Sequence, residues 1–424
     1  MQNSPRRVLF ASLIGTTIEF FDFYIYATAA VLVFPTLFFP KSDPNTAVFA
    51  SLATFAIAFY ARPIGSAVFG HFGDRVGRKA TLVAALLTMG VSTVAIGLLP
   101  GYASAGLVAP ALLALFRFGQ GFGLGGEWGG AVLLATENAP PGKQTWYGMF
   151  PQLGAPIGFI LSAGVFLLLT HFLSDAQFLG WGWRVPFLSS AVLVLVGLYV
   201  RLRIVETAAF SRTLQNNERV SLPMAAVLRS HAAPLLLGIL ATVAIFLVFY
   251  LMTVFTLSWG TGNGWTREQF LWLQMGAMVF FGIAIPVSAK LSDRHDPRSV
   301  LVWGTVAMVV FGFAFAPLLG ANSWFSVLMC LSIGLVLMGL TYGSLGAALG
   351  SLFPTALRYT GVSLAFNFAG ILGGSLTPYV AKALSDKYGL AAVGWYLSGA
   401  AVISLLALLL LPRAAMSARH NAAP

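Results

Sequence analysis

Runs of about 20 apolar residues recur twelve times along this 424-residue chain. Lipid offers no hydrogen-bonding partner to a free backbone amide, so a segment that crosses a bilayer core about 30 Å thick does so as a helix. The spacing therefore predicts an all-α membrane protein with twelve transmembrane helices. The predicted spans lie near residues 10–38, 47–70, 80–99, 108–136, 147–170, 184–202, 234–259, 269–290, 300–319, 324–350, 359–381 and 389–411.

The composition agrees with a chain that lies in lipid. Charged residues make up 9% of it and hydrophobic residues 58%, whereas a soluble domain carries about 25% charged residues. This excludes a cytosolic enzyme, a disordered chain and a nucleic-acid-binding protein, in spite of a net charge of +11. The single cysteine, Cys330, lies in an apolar run, so neither an internal disulfide framework nor a thiolate metal site is expected.

Lysine and arginine are divided unequally between the two sets of loops. If the N-terminus is cytoplasmic, the inner segments hold 17 of the 24 basic residues and the outer segments hold 5, while Arg62 and Arg117 lie within spans. Because cytoplasmic loops retain positive charge, both termini are predicted to be cytoplasmic. The excess charge follows from this topology alone, and no nucleic-acid partner is expected.

The chain repeats itself at about half its length. Residues 70–79, after the second span, read GHFGDRVGRK, and residues 289–298, after the eighth, read AKLSDRHDPR. Such duplication is typical of transporters and predicts two pseudo-symmetric six-helix bundles with a pathway between them. We place the bundles at residues 1–202 and 234–424, joined by a cytoplasmic linker over 203–233.

Four charged residues of the first six spans lie at bilayer depth: Glu19, Asp22, Arg117 and Glu127. Each such charge costs at least about 2.5–3.5 kcal/mol to insert, so it normally faces a pathway or another charge. The last six spans have no acidic residue at mid-membrane. Proton coupling is therefore predicted in the first bundle, with Asp22, Glu19 and Glu127 as the proton-coupling residues.

Glu19 and Asp22 are three residues apart on one helix, on the same side as Tyr26. Two carboxylates this close cannot both ionise cheaply in a low dielectric, so one of them is expected to hold a proton. A carboxyl group of this kind can load a proton on one side of the membrane and release it on the other. The alternative is a pair of helix–helix hydrogen-bonding groups that never titrate.

Arg117, Gln120 and Glu127 are predicted to share one side of the fourth span. Our hypothesis is that Arg117 pairs alternately with Asp22 and with an anionic substrate, so that substrate binding frees the carboxylate to take a proton. The alternative is a permanent Arg117–Asp22 bridge between the first and fourth spans.

Further polar side chains within the spans are candidates for substrate contact, although most intramembrane amides and hydroxyls merely bond neighbouring helices. The fourth span is also rich in glycine, which indicates close helix packing in preference to a flexible gate. The predicted substrate-binding residues are Arg117, Gln120, Tyr26, Gln152, Tyr250, Gln274, Tyr342 and Asn367.

Several stretches carry a resemblance to a known family. Residues 70–79 are very similar to the Gly-x-x-x-Asp-Arg-x-Gly-Arg-Lys motif of the major facilitator superfamily. Residues 15–24 (GTTIEFFDFY), 117–128 (RFGQGFGLGGEW), 182–187 (GWRVPF) and 353–363 (FPTALRYTGVS) resemble its metabolite:proton symporter branch, which carries shikimate, 2-oxoglutarate, citrate, and proline or betaine.

The resemblance implies the major facilitator fold and proton-coupled uptake of a small polar metabolite with a carboxylate, by alternating access. It also implies a monomer in the bacterial inner membrane, whose partners are the bilayer and a small-molecule substrate. A cytoplasmic latch is implied as well, in which an aspartate faces a helix end of the other bundle. The gating residues predicted on this basis are Gly70, Asp74, Arg75, Gly77, Arg78, Asp293 and Arg358.

Two other classes of protein stay open. A proton-coupled drug or metabolite exporter would share the fold, and residues 154–158 (GAPIG) faintly resemble an exporter motif. A membrane sensor that transports nothing would be expected to carry an added soluble domain, and no connection is long enough to hold one. No arrangement of residues indicates an enzyme, a metal site or a cofactor, and protons are the expected coupling ion.

Overall fold

The computed structural model describes residues 5–40, 43–76, 78–202, 223–354 and 357–411, apart from the side chains of 5–8, 70–76, 78–80, 82 and 223. Twelve main helices follow one another along these residues. They are α1 (Pro5–Leu32), α2 (Pro44–Val76), α3 (Arg78–Leu98), α4 (Val108–Glu137), α5 (Gln144–Phe172), α6 (Arg184–Leu202), α7 (Ala232–Gly262), α8 (Arg267–Arg294), α9 (Pro297–Gly320), α10 (Trp324–Ser351), α11 (Arg358–Tyr388) and α12 (Leu390–Leu410).

These helices confirm the predicted all-α architecture and the positions of the twelve spans. Eleven of them are long and apolar enough to cross a membrane, and α3 contributes a shorter apolar segment, Val83–Leu98. No strand occurs in the described part of the chain. Successive spans run in opposite directions, so one face of the bundle holds the start of α1 and the end of α12. We call this the terminal face and its opposite the far face.

The packing of the helices repeats with a period of six. In the first half (α1–α6), α1 packs on α5, α2 on α4, and α3 on both α4 and α6. In the second half (α7–α12), α7 packs on α11, α8 on α10, and α9 on both α10 and α12. This is the pattern that a duplicated six-helix unit produces. The bundle boundaries at 202 and 234 stay a prediction, and residues 203–222 of the predicted linker lie outside the described residues.

The two halves meet along two pairs of helices. α5 packs along α8, and α2 packs along α11. A shift of six helices converts α2 into α8 and α5 into α11, so the two contacts are equivalent under the repeat. The candidate site is formed by residues of these four helices and by the residues of α1, α4, α7 and α10 that face the boundary between the two halves.

The fourth span is not one straight helix, which corrects an expectation from the sequence. α4 consists of Val108–Leu124 and Glu127–Glu137, separated by a turn at Gly125 and Gly126. Arg117 lies in the first of these segments, and Glu127 begins the second. The two residues have different partners and serve two different clusters.

The glycines of α4 allow α2 to approach closely. A Cβ atom at Gly121 would overlap the backbone of Ala58, and one at Gly125 would overlap the backbone of Arg62. Two further glycines face α11. A Cβ atom at Gly129 would overlap the side chain of Ser363, and one at Gly126 would contact the hydroxyl of Tyr359. The contacts support the packing interpretation of this glycine-rich helix.

Candidate functional site

Four buried polar side chains join α1 to α4 through α3. Arg117 Nη1 donates to Gln120 Oε1 (2.9 Å), and Gln120 Nε2 donates to Thr93 Oγ1 (2.8 Å). Thr93 Oγ1 lies 3.4 Å from Asp22 Oδ2 and 2.9 Å from the carbonyl oxygen of Met89. A hydroxyl has one hydrogen to donate, so Thr93 can serve either acceptor. We call Asp22, Thr93, Gln120 and Arg117 the inner relay.

Arg117 is held within the first half. Its Cζ atom lies 3.9 Å from the ring centroid of Tyr26, 4.3 Å from that of Phe23 and 5.0 Å from that of Phe55. No ion pair between Arg117 and Asp22 occurs among the described residues. The alternative of a permanent bridge between these two residues is therefore wrong for this conformation, and Gln120 and Thr93 stand between them.

Glu19 lies near a second buried cation, Arg62 of α2. Both side chains are almost fully buried, and Arg62 and Arg201 are the cations that act on Glu19 most strongly. Glu19 Oε2 and Arg62 Nε have no hydrogen-bond partner. Acid and base are thus close enough to influence each other while both keep open bonding positions.

Glu127 forms an ion pair with Arg201 at the end of α6. Arg201 is one of the 17 basic residues assigned from the sequence to the inner segments, but it is 8% exposed and lies inside the first half. In this conformation the pair fastens α4 to α6. Proton coupling through Glu127 stays a prediction and requires the pair to open.

Three predicted substrate-binding residues, Gln152, Tyr250 and Tyr342, lie where the halves touch, and two of them are bonded to Trp128. Trp128 Nε1 donates to Gln152 Oε1 (3.0 Å) and lies 3.2 Å from the hydroxyl of Tyr342, while Gln152 Nε2 donates to the carbonyl of Tyr342 (3.1 Å). The Trp128 ring also stacks on Phe366 of α11. Tyr250 of α7 packs edge-on against rings of α2. Aromatic rings from both halves therefore enclose the centre of the molecule.

Asn367 of α11 connects the halves toward the terminal face. Its Nδ2 atom donates to Ser66 Oγ (2.8 Å) and to the carbonyl of Gly125 (3.0 Å). The Tyr359 hydroxyl donates to the carbonyl of Gly126. These bonds are contacts between helices that use the carbonyls freed at the turn of α4.

Two other predicted substrate-binding residues bond within their own half. The Tyr26 hydroxyl donates to Thr54 Oγ1 at 2.7 Å. Gln274 Nε2 donates to the carbonyls of Met252 (3.2 Å) and Thr253 (2.6 Å), which belong to a π-helical segment of α7. A wider helical turn frees such carbonyls, and Gln274 satisfies them.

At the terminal face, an acidic side chain of the second half caps a helix of the first. Asp293 accepts hydrogen bonds from the backbone amides of Thr145 and Trp146, each at 3.0 Å, at the start of α5. A carboxylate at a helix N-terminus is stabilised by the unpaired amides and by the helix dipole. Arg358 Nε donates to the carbonyl of Gly350 at the end of α10 (2.7 Å), within the second half.

The equivalent loop of the first half is described only in part. Gly70, Asp74 and Arg75 lie in the last turns of α2, and Arg78 begins α3. The side chains of Asp74, Arg75 and Arg78 and the whole of Gly77 lie outside the described residues. Their predicted gating role therefore stays a prediction.

At the far face, two pairs of side chains join the same halves. His171 Nδ1 lies 3.0 Å from Glu268 Oε1, and Arg267 Nη1 lies 2.8 Å from Asp175 Oδ1. All four residues lie at the end of α5 or the start of α8, and all are at least partly exposed. With Asp293 at the opposite end, α5 and α8 are held together at both faces.

Sequence reasoning missed the roles of Arg62 and Thr93. Arg62 was recognised as a charge within a span, and the insertion cost that singled out Arg117 applies to it equally. A threonine within a membrane helix is too common to single out, and only the structure places Thr93 between Gln120 and Asp22. Gln120 contacts Arg117 directly, and its role in substrate binding stays a prediction.

Comparison with known proteins identifies the class. The family model described as "Major Facilitator Superfamily" matches residues 12–378, with a second match over 238–423. The structure of D-xylose-proton symporter superposes with a TM-score of 0.76 at 16% identity, over 96% of this chain and 98% of that chain. The structure of XylE from E. coli in a partially occluded inward-open conformation gives a TM-score of 0.74 at 15% identity, over 96% and 98%. The chain belongs to the major facilitator superfamily.

Curated relatives narrow the class to metabolite transporters. "Inner membrane metabolite transport protein YhjE" of Escherichia coli is 57% identical over 414 residues, which cover 96% of this chain and 94% of the relative. The shikimate transporter of the same organism is 35% identical, with 96% and 94% covered. The proline/betaine transporter of Salmonella typhimurium is 32% identical, with 95% and 82% covered. The chain is a metabolite transporter and not an enzyme, which confirms the predicted resemblance.

Proposed function

We propose that the protein imports a small carboxylate-bearing metabolite together with protons, by alternating access of a central site to the two faces. The observation that supports this most directly is the inner relay. It links a buried acid, Asp22, to a buried cation, Arg117, through two hydrogen-bonding side chains within the first half. A change in the charge state of either residue is therefore transmitted to the other.

The driving force is sufficient for concentrative uptake. One proton that enters across 100 mV contributes about 2.3 kcal/mol, and each pH unit adds about 1.4 kcal/mol. For a zwitterionic metabolite, which carries no net charge, both contributions apply and together correspond to roughly five-hundredfold accumulation. For a monoanion the charge of the substrate cancels the electrical contribution, and one pH unit supports about tenfold accumulation. The relatives named as shikimate and proline/betaine transporters make carboxylic acids the first substrates to test.

Alternating access needs contacts that hold one face closed and then release. We propose that Asp293, capping α5 across the halves, is the latch of the terminal face, and that Asp74 with Arg75 and Arg78 forms its repeat-related counterpart. Each such contact is worth about 0.3–1 kcal/mol, enough to bias two states of nearly equal free energy. Gly70 and Gly77 would shape that second loop, and Arg358 would keep the end of α10 in place.

We also propose that the protein is a monomer in the bacterial inner membrane with both termini in the cytoplasm. The excess of basic residues in one set of loops supports this orientation. The printed name of the relative from Escherichia coli supports the inner membrane. Reporter fusions at both ends should give cytoplasmic signals, and a periplasmic signal from either end would contradict the orientation.

Flux in proteoliposomes tests the proposed function. Radiolabelled shikimate, L-proline and glycine betaine are offered under an inward proton gradient, an outward gradient and an uncoupler. We expect one of these acids to accumulate only under the inward gradient, with matching proton entry. Accumulation driven by the outward gradient would instead indicate an exporter that exchanges protons for substrate.

A further inference from the structure

Arg62 lies at the centre of the molecule with no anionic partner in contact. Its side chain projects from the middle of α2 and is 4% exposed. The Nε atom has no hydrogen-bond partner, and no ion pair of Arg62 occurs in the part of the chain that the structure describes. A buried cation that no anion contacts is costly, so an N–H donor left open at this depth indicates an anion that binds there.

The groups around Arg62 come from both halves. Its Cζ atom lies 4.5 Å from the ring centroid of Phe23 and 5.0 Å from that of Phe59, both of the first half. Tyr250 and Tyr342 of the second half are among the groups that interact with it electrostatically. When the halves part at either face, these two tyrosines move away with the second half and Arg62 becomes accessible.

Arg117 differs from Arg62 in its direct contacts, although Tyr250 acts electrostatically on both. The rings of Phe23, Tyr26 and Phe55 that cover it all belong to the first half. Its Nη1 and Nε atoms are also bonded, to Gln120 and to the carbonyl of Phe55. Parting of the halves therefore leaves Arg117 covered, so a substrate that enters between the halves meets Arg62 first.

We propose that Arg62, and not Arg117, binds the carboxylate of the transported metabolite, with the hydroxyls of Tyr250 and Tyr342 as further donors from the second half. A guanidinium presents a planar fork of N–H donors that matches a carboxylate, and such charge-assisted bonds are strong. This inference rests on the proposed function and names both the substrate class and the residue that recognises it.

Glu19 gives the site its link to protons. Its open Oε2 atom lies in the field of Arg62, so Glu19 balances the charge of Arg62 while no substrate is present. A carboxylate that arrives at Arg62 would leave two anions against one cation in a buried site. Uptake of one proton by Glu19 restores the balance, so one proton enters this site with each carboxylate.

The first test measures binding to the purified protein in detergent. The probes are shikimate, 2-oxoglutarate, L-proline and glycine betaine, each beside its methyl ester (the dimethyl ester of 2-oxoglutarate), which removes the negative charge of the carboxylate. We expect at least one acid to raise the unfolding temperature and its ester to have no such effect. Binding of esters but of no acid would overturn the inference while leaving transport of a neutral metabolite intact, and binding of neither would overturn it as well.

The second test uses Arg62→Lys, with Arg117→Lys as the matched variant and gel filtration as the control for folding. For the acid that binds, Arg62→Lys should raise Kd about tenfold or more, because the planar fork is lost. Arg117→Lys should change Kd by less than about threefold. Tyr250→Phe keeps the ring and removes only the hydroxyl, and should weaken binding several-fold, which gives a second readout if Arg62→Lys does not fold.

The outcomes separate the two proposals. If an acid accumulates under an inward proton gradient while Arg62→Lys and Tyr250→Phe bind it as the unchanged protein does, the assignment of Arg62 is wrong and proton-coupled uptake stands. If the acid binds through Arg62 but no gradient drives its accumulation, the site stands and the proposed function fails. If Arg117→Lys is the only variant that loses affinity for the acid, Arg117 and not Arg62 binds the carboxylate.

Discussion

The two halves of the molecule share one helix-packing pattern but differ in chemistry at mid-membrane. The first half buries Glu19, Asp22, Arg62, Arg117 and a Glu127–Arg201 ion pair. The second half has no acidic residue at this depth and presents tyrosines, amides and aromatic rings. Both halves therefore share one helical framework, while the buried acidic residues at mid-membrane lie only in the first half.

This difference indicates a division of labour. Protons need titratable groups, and these lie in the first half beside two cations that can respond to them. Recognition of a metabolite requires a complementary shape and hydrogen-bond donors as well as charge. The second half supplies the shape and the donors through Tyr250 and through Tyr342, whose hydroxyl is bonded to Trp128. If this division holds, proton coupling depends on the charged residues of the first half alone.

The largest effect on stability is expected from Glu127→Gln. This change removes the carboxylate that is paired with the buried Arg201, so the free energy of unfolding should fall by about 3–5 kcal/mol. Denaturation in detergent, followed by tryptophan fluorescence, measures it. The double variant Glu127→Gln with Arg201→Gln is the control and should recover part of the loss. Unchanged stability with lost proton coupling would instead make Glu127 a proton-coupling residue.

The next largest effect is expected from Arg117→Lys on transport. A lysine cannot keep both the bond to Gln120 and the stack of rings, so turnover should fall about tenfold and its dependence on pH should change. Arg298→Lys is the matched control, since Arg298 is a buried arginine of the second half that bonds the carbonyls of Leu408 and Leu409. Equal pH profiles for both variants would remove the distinction between the halves.

A smaller effect is expected from opening the latch at the terminal face. Asp293→Asn weakens a cap that joins the halves, whereas Asp296→Asn weakens the cap of α9 within the second half, where Asp296 accepts from the Ser299 amide. Ala347 and Asp293 line the same cavity. The rate at which a thiol reagent labels Ala347→Cys should rise about two- to fivefold when it is combined with Asp293→Asn, and should not rise when it is combined with Asp296→Asn. Equal labelling in both variants would contradict a latch between the halves.

The smallest effect is expected at the far face. Asp175→Asn breaks an exposed ion pair with Arg267, and exposed ion pairs contribute about 0–1 kcal/mol. The unfolding temperature should change little, and the change should vanish at high salt. A large shift that persists in salt would show that the far face is held more firmly than the terminal face.

The fold could be predicted almost completely from the sequence. Twelve apolar runs lie within a few residues of the twelve helices, because hydrophobic length fixes a membrane span with little help from tertiary contacts. The break at Gly125 and Gly126 was not predicted. Such a break depends on partners that satisfy the freed carbonyls, here Asn367 and Tyr359 from the other half.

The site could be predicted only in part. The cost of an intramembrane charge singled out Glu19, Asp22 and Arg117, since that cost is a property of one residue in lipid. Which partner each residue has is a property of the folded molecule. The sequence therefore suggested a direct Arg117–Asp22 bridge, where the structure inserts Gln120 and Thr93.

The central claim is that the buried acids of the first half carry the protons that drive uptake. Its most direct test is the double variant Glu19→Gln with Asp22→Asn in proteoliposomes, with the acid that binds the unchanged protein as substrate. Exchange of labelled for unlabelled acid without a gradient should continue, while accumulation under an inward proton gradient should disappear. Gradient-driven accumulation that survives in the double variant would contradict the account.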